Sequence, residues 1–127
     1  NPDEVHAFYN LRRRNLLSAA PNAAHAALVR LEAGLRAKGN ELFLCTQNVH
    51  DLHERTGMRQ VTHMHGELLK VRCVRCEAVM SWTHDLGRQD SYPSCGAIAT
   101  ACGTAHGRRP WSVASGRATS GRWILTE

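Results

Sequence analysis

The sequence predicts an α/β fold built around a parallel sheet. Two stretches with apolar residues at helical spacing come first, and a short, continuous apolar run, Glu41–Thr46, follows them directly. Such a run after a helix is typical of a strand that is buried on both faces of a parallel sheet. Short extended segments and closely spaced cysteines come next, and they add a small metal-binding module to the prediction.

The two helices have recognisable start and stop residues. Pro2 suits the first turn of a helix, with Asn1 as a candidate cap, and Pro21 ends this pattern. Asn22 can cap a second helix, which is expected to end near Gly39. The predicted apolar side of the first helix consists of Val5, Phe8, Leu11 and Leu16. That of the second consists of Ala24, Leu28, Leu31 and Leu35.

The segments after the buried strand are shorter. Residues 47–57 are polar and predict a loop with a short helix. Residues 61–65, 67–72 and 78–82 predict short extended pieces. Residues 103–127 are rich in Gly, Ala, Ser, Thr and Arg without a helical or strand period, and we expect little order there.

Composition narrows the class of protein. The chain has 127 residues, which is enough for one domain with a core, and its formal charge is +5. The four arginines of residues 96–127 minus the charge of Glu127 supply +3 of this charge, and much of the rest comes from Arg12, Arg13 and Arg14 on the first predicted helix. A basic surface that binds nucleic acid is one interpretation, and a solvated helix face with a tail of little order is the preferred one. No apolar run approaches the roughly 20 residues that span a bilayer, and no export signal is recognisable.

The cysteines indicate a zinc site. Five cysteines and no export signal favour a reducing, cytoplasmic location over disulfides. Cys73 and Cys76 form a Cys-x-x-Cys pair, which can serve zinc or redox chemistry, and Cys95 follows at a spacing that fits a zinc ribbon. Tyr92 stands where a fourth cysteine would complete the set, so Cys102 is the remaining nearby thiol.

Two polar segments could carry chemistry. In residues 46–53, Gln47 and Asn48 follow the buried strand and could face a cleft as ligands of ribose hydroxyls, or they could form an ordinary polar turn. If residues 61–65 are extended, His63 and His65 share a face. They could then bind a metal, or one could act as a general base, or both could be ordinary polar residues.

Three motifs in this order resemble the sirtuin family. They are Thr-Gln-Asn-x-x-x-Leu-His at residues 46–53, His-Gly-Glu at residues 65–67, and Cys-x-x-Cys at residues 73–76. The resemblance extends from residue 1 to about residue 95. It implies part of a Rossmann-like catalytic domain in residues 1–66 and a degenerate, zinc-ribbon-like module in residues 67–102. Residues 103–127 would be a disordered or frameshifted tail.

The resemblance also implies an activity. Sirtuins use NAD to remove acyl groups from protein lysines, and they release nicotinamide and O-acyl-ADP-ribose. His65 would be the general base, while Gln47, Asn48 and Asp51 would bind the cofactor. A structural Zn²⁺ would be held by Cys73, Cys76, Cys95 and Cys102.

A substrate preference follows from the same resemblance. Residues 8–14, Phe-Tyr-Asn-Leu-Arg-Arg-Arg, resemble the bacterial branch that accepts acidic acyl groups. There Tyr9 and Arg12 would bind the distal carboxylate of succinyl- or malonyl-lysine, with acetyl-lysine as a further substrate. A guanidinium suits a carboxylate, and positions i and i+3 share a helix face.

The chain also departs from the family pattern. His50 stands where the family has Asp, so Asp51 would have to substitute for it. The Gly-rich phosphate loop and the Val-Val-Trp-Phe-Gly-Glu segment are absent, and the chain begins with Asn1 instead of Met. We therefore expect a fragment of a longer enzyme that is inactive alone. The alternative from the residues themselves is a basic, zinc-stabilised module that binds nucleic acid.

Overall fold

The α/β prediction is confirmed by a computed structural model, which describes residues 2–73, 76, 78–87, 90, 95–96 and 122–126. The chain divides into two compact units, Asn1–Ala19 with Gly66–His106 and Ala20–His65 with Gly107–Glu127. The described elements are helices α1 (Pro2–Ser18), α2 (Ala23–Arg36) and α3 (Leu52–Arg55), and strands β1 (Glu41–Thr46), β2 (Val61–His63), β3 (Lys70–Arg72), β4 (Val79–Ser81) and β5 (Arg122–Thr126).

A parallel sheet forms the centre of the unit that contains Ala20–His65. Its three strands have the order β2-β1-β5, and β1 is parallel to both neighbours. Leu42 and Leu44 of β1 are 2% and 0% exposed and form a core with Met58. Burying a leucine contributes about 1.5–3 kcal/mol. The continuous apolar run thus forms the buried central strand, as predicted.

Helix α2 has the predicted N-cap and covers this core. The Asn22 side-chain oxygen accepts hydrogen bonds from the backbone N of Ala24 and His25, at 2.9 and 3.3 Å. Leu28 and Leu35 pack against the core as expected. Leu31, also expected on the apolar side, is 44% exposed. The buried residues of the helix are His25 and Glu32.

The predicted apolar side of α1 is wrong in most of its members. Val5, Phe8 and Leu11 are 51%, 54% and 53% exposed, and of the four predicted residues only Leu16 is buried. The face of α1 that packs within its own unit carries Asn10 and Arg13 instead. Periodicity predicts which residues share a face, but it does not predict which face meets the neighbouring backbone. The proposed cap, Asn1, lies outside the described residues.

Asn10 and Arg13 hold α1 to the loop segments of the same unit. The Asn10 side chain donates to Leu86 O at 3.1 Å and accepts from Leu86 N at 2.8 Å, as a neighbouring strand would. Arg13 Nη1 donates to Asn10 Oδ1 at 2.7 Å, and Arg13 Nε donates to Leu68 O at 3.3 Å. Arg13 is 1% exposed, so the interpretation of Arg12–Arg14 as a solvated basic face is wrong for this residue.

The unit that contains α1 is completed by a hairpin. Strands β3 and β4 are antiparallel, and Val71 is opposite Met80. The ladder continues into the turn, where Cys73 N donates to Ala78 O at 2.9 Å. Val71, Cys73, Trp82 and Leu86 form the core of the unit. The extended piece predicted at residues 67–72 is shorter than expected, because residues 68–69 form a turn before β3.

The C-terminal segment is described over five residues. Residues 122–126 form β5 beside β1, with Glu41 opposite Arg122 and Cys45 opposite Thr126. We expected little order in residues 103–127, and this expectation was wrong for residues 122–126. They are ordered because the edge of β1 offers them backbone hydrogen bonds. The remainder of that segment lies outside the described residues. In the part of the chain that is described, no helix combines the length and hydropathy that crossing a membrane requires.

Candidate active site and metal centre

The carboxyl ends of β1 and β2 meet at one edge of the sheet. Thr46 of β1 is opposite His63 of β2, and Met64 N donates to Thr46 O at 2.9 Å. The buried Thr46 hydroxyl accepts a hydrogen bond from Asn48 N at 3.0 Å, which fixes the first turn of the loop. The segments that contain Gln47 and His65 therefore both begin at this edge, where ligands of open α/β sheets bind.

The three residues predicted for catalysis and ribose binding are exposed. They are Gln47, Asn48 and His65. Strand β2 ends at His63, and residues 64–65 form a turn, so His63 and His65 do not share one strand face. Gly66 has a φ of +83°, a conformation that glycine adopts without a steric cost. This turn keeps the imidazole of His65 at the surface.

His63 connects the loop after β1 to helix α3. Its Nδ1 lies 3.0 Å from Asn48 O, and its Nε2 lies 2.6 Å from Glu54 Oε1. Burial raises the pKa of Glu54, but the hydrogen bonds from His63 and the backbone and the charges of His63 and His53 outweigh burial. The pKa of Glu54 is therefore lowered from 4.5. The sequence analysis missed this pair because its partners are nine residues apart on different elements.

Asp51 immediately precedes α3 and is held by an arginine of that helix. Arg55 Nη2 lies 2.8 Å from Asp51 Oδ1, and Arg55 Nε donates to Asp51 Oδ2 at 2.9 Å. The hydrogen bond and the ion-pair contact together restrict the orientation of the carboxylate. Asp51 is thus a positioned carboxylate beside the loop that carries Gln47 and Asn48.

Tyr9 and Arg12 lie on α1 in the other unit, with the predicted spacing of three residues. Tyr9 is half-buried and Arg12 is exposed. The Tyr9 ring makes an edge contact with Phe8 at a centroid distance of 5.4 Å, and the Arg12 guanidinium carbon lies 5.5 Å from the centroid of the same Phe8 ring. Phe8 therefore supports both side chains, a role that the sequence analysis did not predict.

Three of the predicted zinc ligands lie together. The sulfur atoms of Cys73, Cys76 and Cys95 all lie within 4.8 Å of one another, and those of Cys73 and Cys95 are 3.5 Å apart. Tetrahedral Zn²⁺ with Zn–S bonds of about 2.3 Å requires sulfur atoms about 3.8 Å apart, so the described thiols fit zinc. Cys102, the fourth predicted ligand, and Tyr92 lie outside the described residues.

Comparison with known proteins agrees with these motifs. Residues 2–107 match the Sir2 family. An NAD-dependent protein deacylase of Caulobacter vibrioides is 53% identical over 113 residues, which are 89% of this chain and 44% of that protein. The NAD-dependent protein deacylase SIR2rp3 of Leishmania major is 52% identical over 103 residues, which are 79% of this chain and 42% of that protein.

A solved structure extends the likeness to the fold. The complex of a Sir2 homologue with NAD has a TM-score of 0.63 and 36% identity, and the match covers 77% of this chain and 38% of the other. The chain belongs to the Sir2 family, as the motifs predicted. It spans less than half the length of these relatives.

Proposed function

We propose that this chain is the central part of an NAD-dependent protein-lysine deacylase. Residues 1–66 would contribute to its nucleotide-binding domain, and residues 67–102 would form its zinc module. The tail after residue 102 would be disordered or frameshifted, except for β5, which pairs with β1. The observation that carries the activity is the common edge of β1 and β2, from which the segments of Gln47 and His65 both start. The names of the relatives support the same assignment.

The residues at this edge have the chemistry that the reaction needs. NAD supplies a ribose that receives the acyl group and nicotinamide as the leaving group. The exposed imidazole of His65 accepts a proton from a ribose hydroxyl, as a general base does near neutral pH. The amides of Gln47 and Asn48 donate to and accept from ribose oxygens. Asp51, oriented by Arg55, offers carboxylate oxygens as hydrogen-bond acceptors to the cofactor.

The acyl group and the metal involve the other unit. Tyr9 and Arg12 bind the carboxylate of succinyl- or malonyl-lysine, and Phe8 holds the arginine side chain in place. Zn²⁺ is bound by Cys73, Cys76 and Cys95 with a fourth ligand, for which Cys102 is our candidate. A metal enclosed in this way stabilises the fold and leaves no open position for a substrate.

A chimera tests the assignment, because this chain spans 44% of the Caulobacter vibrioides relative. Residues 2–95 replace the matching segment of that protein, and nicotinamide release from acylated peptides is measured. We expect NAD-dependent deacylation that His65→Ala reduces by more than about 100-fold, the contribution of general base catalysis being roughly 10²–10⁴-fold. His6→Ala, on α1, serves as the control and is expected to retain activity.

Two outcomes would count against the proposal. One is a folded, NAD-binding chimera in which His65→Ala has no more effect than His6→Ala. The other concerns the acyl preference. Arg12→Ala is expected to lower kcat/KM more for succinyl-lysine than for acetyl-lysine, and equal losses would refute the role of Arg12. The chain alone is expected to have no deacylase activity. A salt series with duplex DNA tests the alternative of a nucleic-acid-binding module, and we expect the chain to bind DNA no more tightly than other basic proteins do.

A further inference from the structure

Three histidines come together within the unit that contains the parallel sheet. His25 belongs to α2, His53 to α3, and His50 to the loop just before α3. Their ring centroids are 4.7 Å apart for His25 and His53, 5.4 Å for His50 and His53, and 5.5 Å for His25 and His50. One nitrogen of each ring lies within 4.8 Å of those of the other two.

The burial and the chemistry of these rings fit a bound metal ion. His25 and His53 are 8% and 2% exposed, and His50 is half-buried. Neutral imidazole is a common ligand of Zn²⁺, Cu²⁺ and Ni²⁺. A cation shared by the three rings would be attracted to the lone pair on one nitrogen of each.

Hydrogen bonds at Nδ1 position the rings of His25 and His50. His25 Nδ1 lies 2.8 Å from Asn22 Oδ1 and 3.1 Å from Asn22 N. Asn22 N donates to this Nδ1 as part of the helix cap, so a metal on Nε2, which requires a proton on Nδ1, would exchange that hydrogen bond for one from Nδ1 to the Asn22 oxygen. His50 Nδ1 accepts a long hydrogen bond of 3.4 Å from Leu52 N, which a metal on this atom would replace.

The distances are close to those that a metal needs. Zn–N bonds of about 2.0–2.1 Å at a tetrahedral angle require nitrogen atoms about 3.3 Å apart. The ring nitrogen atoms lie within 4.8 Å of one another, and small side-chain rotations can bring them to the shorter separation that the metal requires. Three protein ligands would leave a fourth position for water or another small ligand.

We propose that His25, His50 and His53 form a second transition-metal site, which binds Zn²⁺ or a similar divalent cation. It is separate from the cysteine cluster in its ligands and in its unit of the fold. The site does not depend on the proposed deacylase activity, because it rests on the three imidazoles alone.

Cobalt titration of the full chain, prepared without a polyhistidine tag and kept reduced, distinguishes the two sites. Co²⁺ bound by thiolates gives charge-transfer absorption in the near ultraviolet, whereas Co²⁺ bound by imidazoles gives visible ligand-field bands without it. We expect two equivalents of Co²⁺, and Zn²⁺ should displace both. The first should add thiolate absorption and the second should add visible bands alone. A single thiolate-bound equivalent would overturn the proposal.

Variants of His50 assign the second equivalent. His50 is the least buried of the three, so its replacement puts the fold at least risk. His50→Asn should weaken the second binding event by more than about 100-fold, since loss of an outer-shell partner alone costs roughly 10–100-fold. His50→Cys should add thiolate absorption to that event. His6→Asn is the matched control and should leave both events unchanged.

Two results of these variants would refute the site. One is a second equivalent that binds His50→Asn as tightly as the unchanged chain. The other is a folded His50→Cys variant whose second equivalent adds no thiolate absorption. NMR of the imidazole resonances with Zn²⁺ provides an independent check, because the signals of His25, His50 and His53 should shift together at one stoichiometric step.

Discussion

Arg13 is expected to be the most important single polar residue for the stability of its unit. Its guanidinium makes one short hydrogen bond, 2.7 Å to Asn10 Oδ1, and two long ones, 3.3 Å to Leu68 O and 3.4 Å to His84 O. Burial lowers the pKa of Arg13, and the charge of Asp85 opposes this effect. Replacing Arg13 with alanine therefore removes the favourable hydrogen bonds, and it also removes a buried charge that is costly to desolvate.

The magnitude follows from these opposing contributions. A hydrogen bond to a charged group contributes about 1.5–3 kcal/mol, and a buried group that loses its partner costs about 1–3 kcal/mol. The long bonds count for less, and the relief of desolvation offsets part of the loss. We expect Arg13→Ala to lower the free energy of unfolding by about 3 kcal/mol. Arg13→Met keeps the aliphatic volume and should cost about half as much.

The control for this prediction is the neighbouring arginine. Arg12→Ala removes an exposed guanidinium whose described contact is the Phe8 ring at 5.5 Å, and it should cost about 0.5 kcal/mol. Urea denaturation at fixed Zn²⁺ gives the global value. Hydrogen exchange of the Leu86 amide, which donates to Asn10 Oδ1 at 2.8 Å, gives the local value. Equal effects of Arg12→Ala and Arg13→Ala would refute the reasoning.

Two further predictions concern the metal and the pH. Cys73→Ser should abolish the thiolate-bound Co²⁺ absorption and destabilise the hairpin unit, because Cys73 is 0% exposed within the core of that unit. Cys45→Ser, which lies outside the cluster, is the control and should leave the absorption intact. The same loss of absorption in both variants would contradict the assignment. Glu54→Gln should lower the free energy of unfolding by about 0.5 kcal/mol near neutral pH, since the Glu54 carboxylate is 38% exposed and bonded to His63. The pKa of Glu54 is lowered in the folded state, so this contribution is present above its ordinary pKa of 4.5 and is lost as the pH falls through the lower value. A difference between the two proteins that grows as the pH falls below 4.5 would be contrary to this sign.

Local patterns predicted much of the fold because they act over a few residues. The Asn22 cap depends on backbone N–H groups two and three residues away, and the burial of β1 follows from a continuous apolar run. As the Cys-x-x-Cys spacing predicted, the sulfur atoms of Cys73 and Cys76 lie close together. In each case the partners are close in sequence or the chemistry is carried by the residue type itself.

The site was predicted less completely, for a related reason. Motif order indicated Gln47, Asn48 and His65, and the parallel pairing of β1 with β2 gives their segments a common starting edge. The bond between His63 and Glu54 depends on how α3 packs beside β2, which no periodicity encodes. The expectation that His63 and His65 share a strand face was wrong, because β2 ends at His63 and residues 64–65 form a turn.

The sequence by itself determined the class of this protein: a buried parallel strand, capped helices and a thiol cluster, in the order of motifs that marks the Sir2 family. Tertiary structure alone decided which face of α1 is buried and which histidines meet. Asn10 and Arg13 are buried because the backbone groups of Leu68 and Leu86 need hydrogen-bond partners there. Leu68 and Leu86 lie more than 50 residues from Arg13 and Asn10 in the sequence. Their backbone groups therefore need these side chains as hydrogen-bond partners only after the chain has folded.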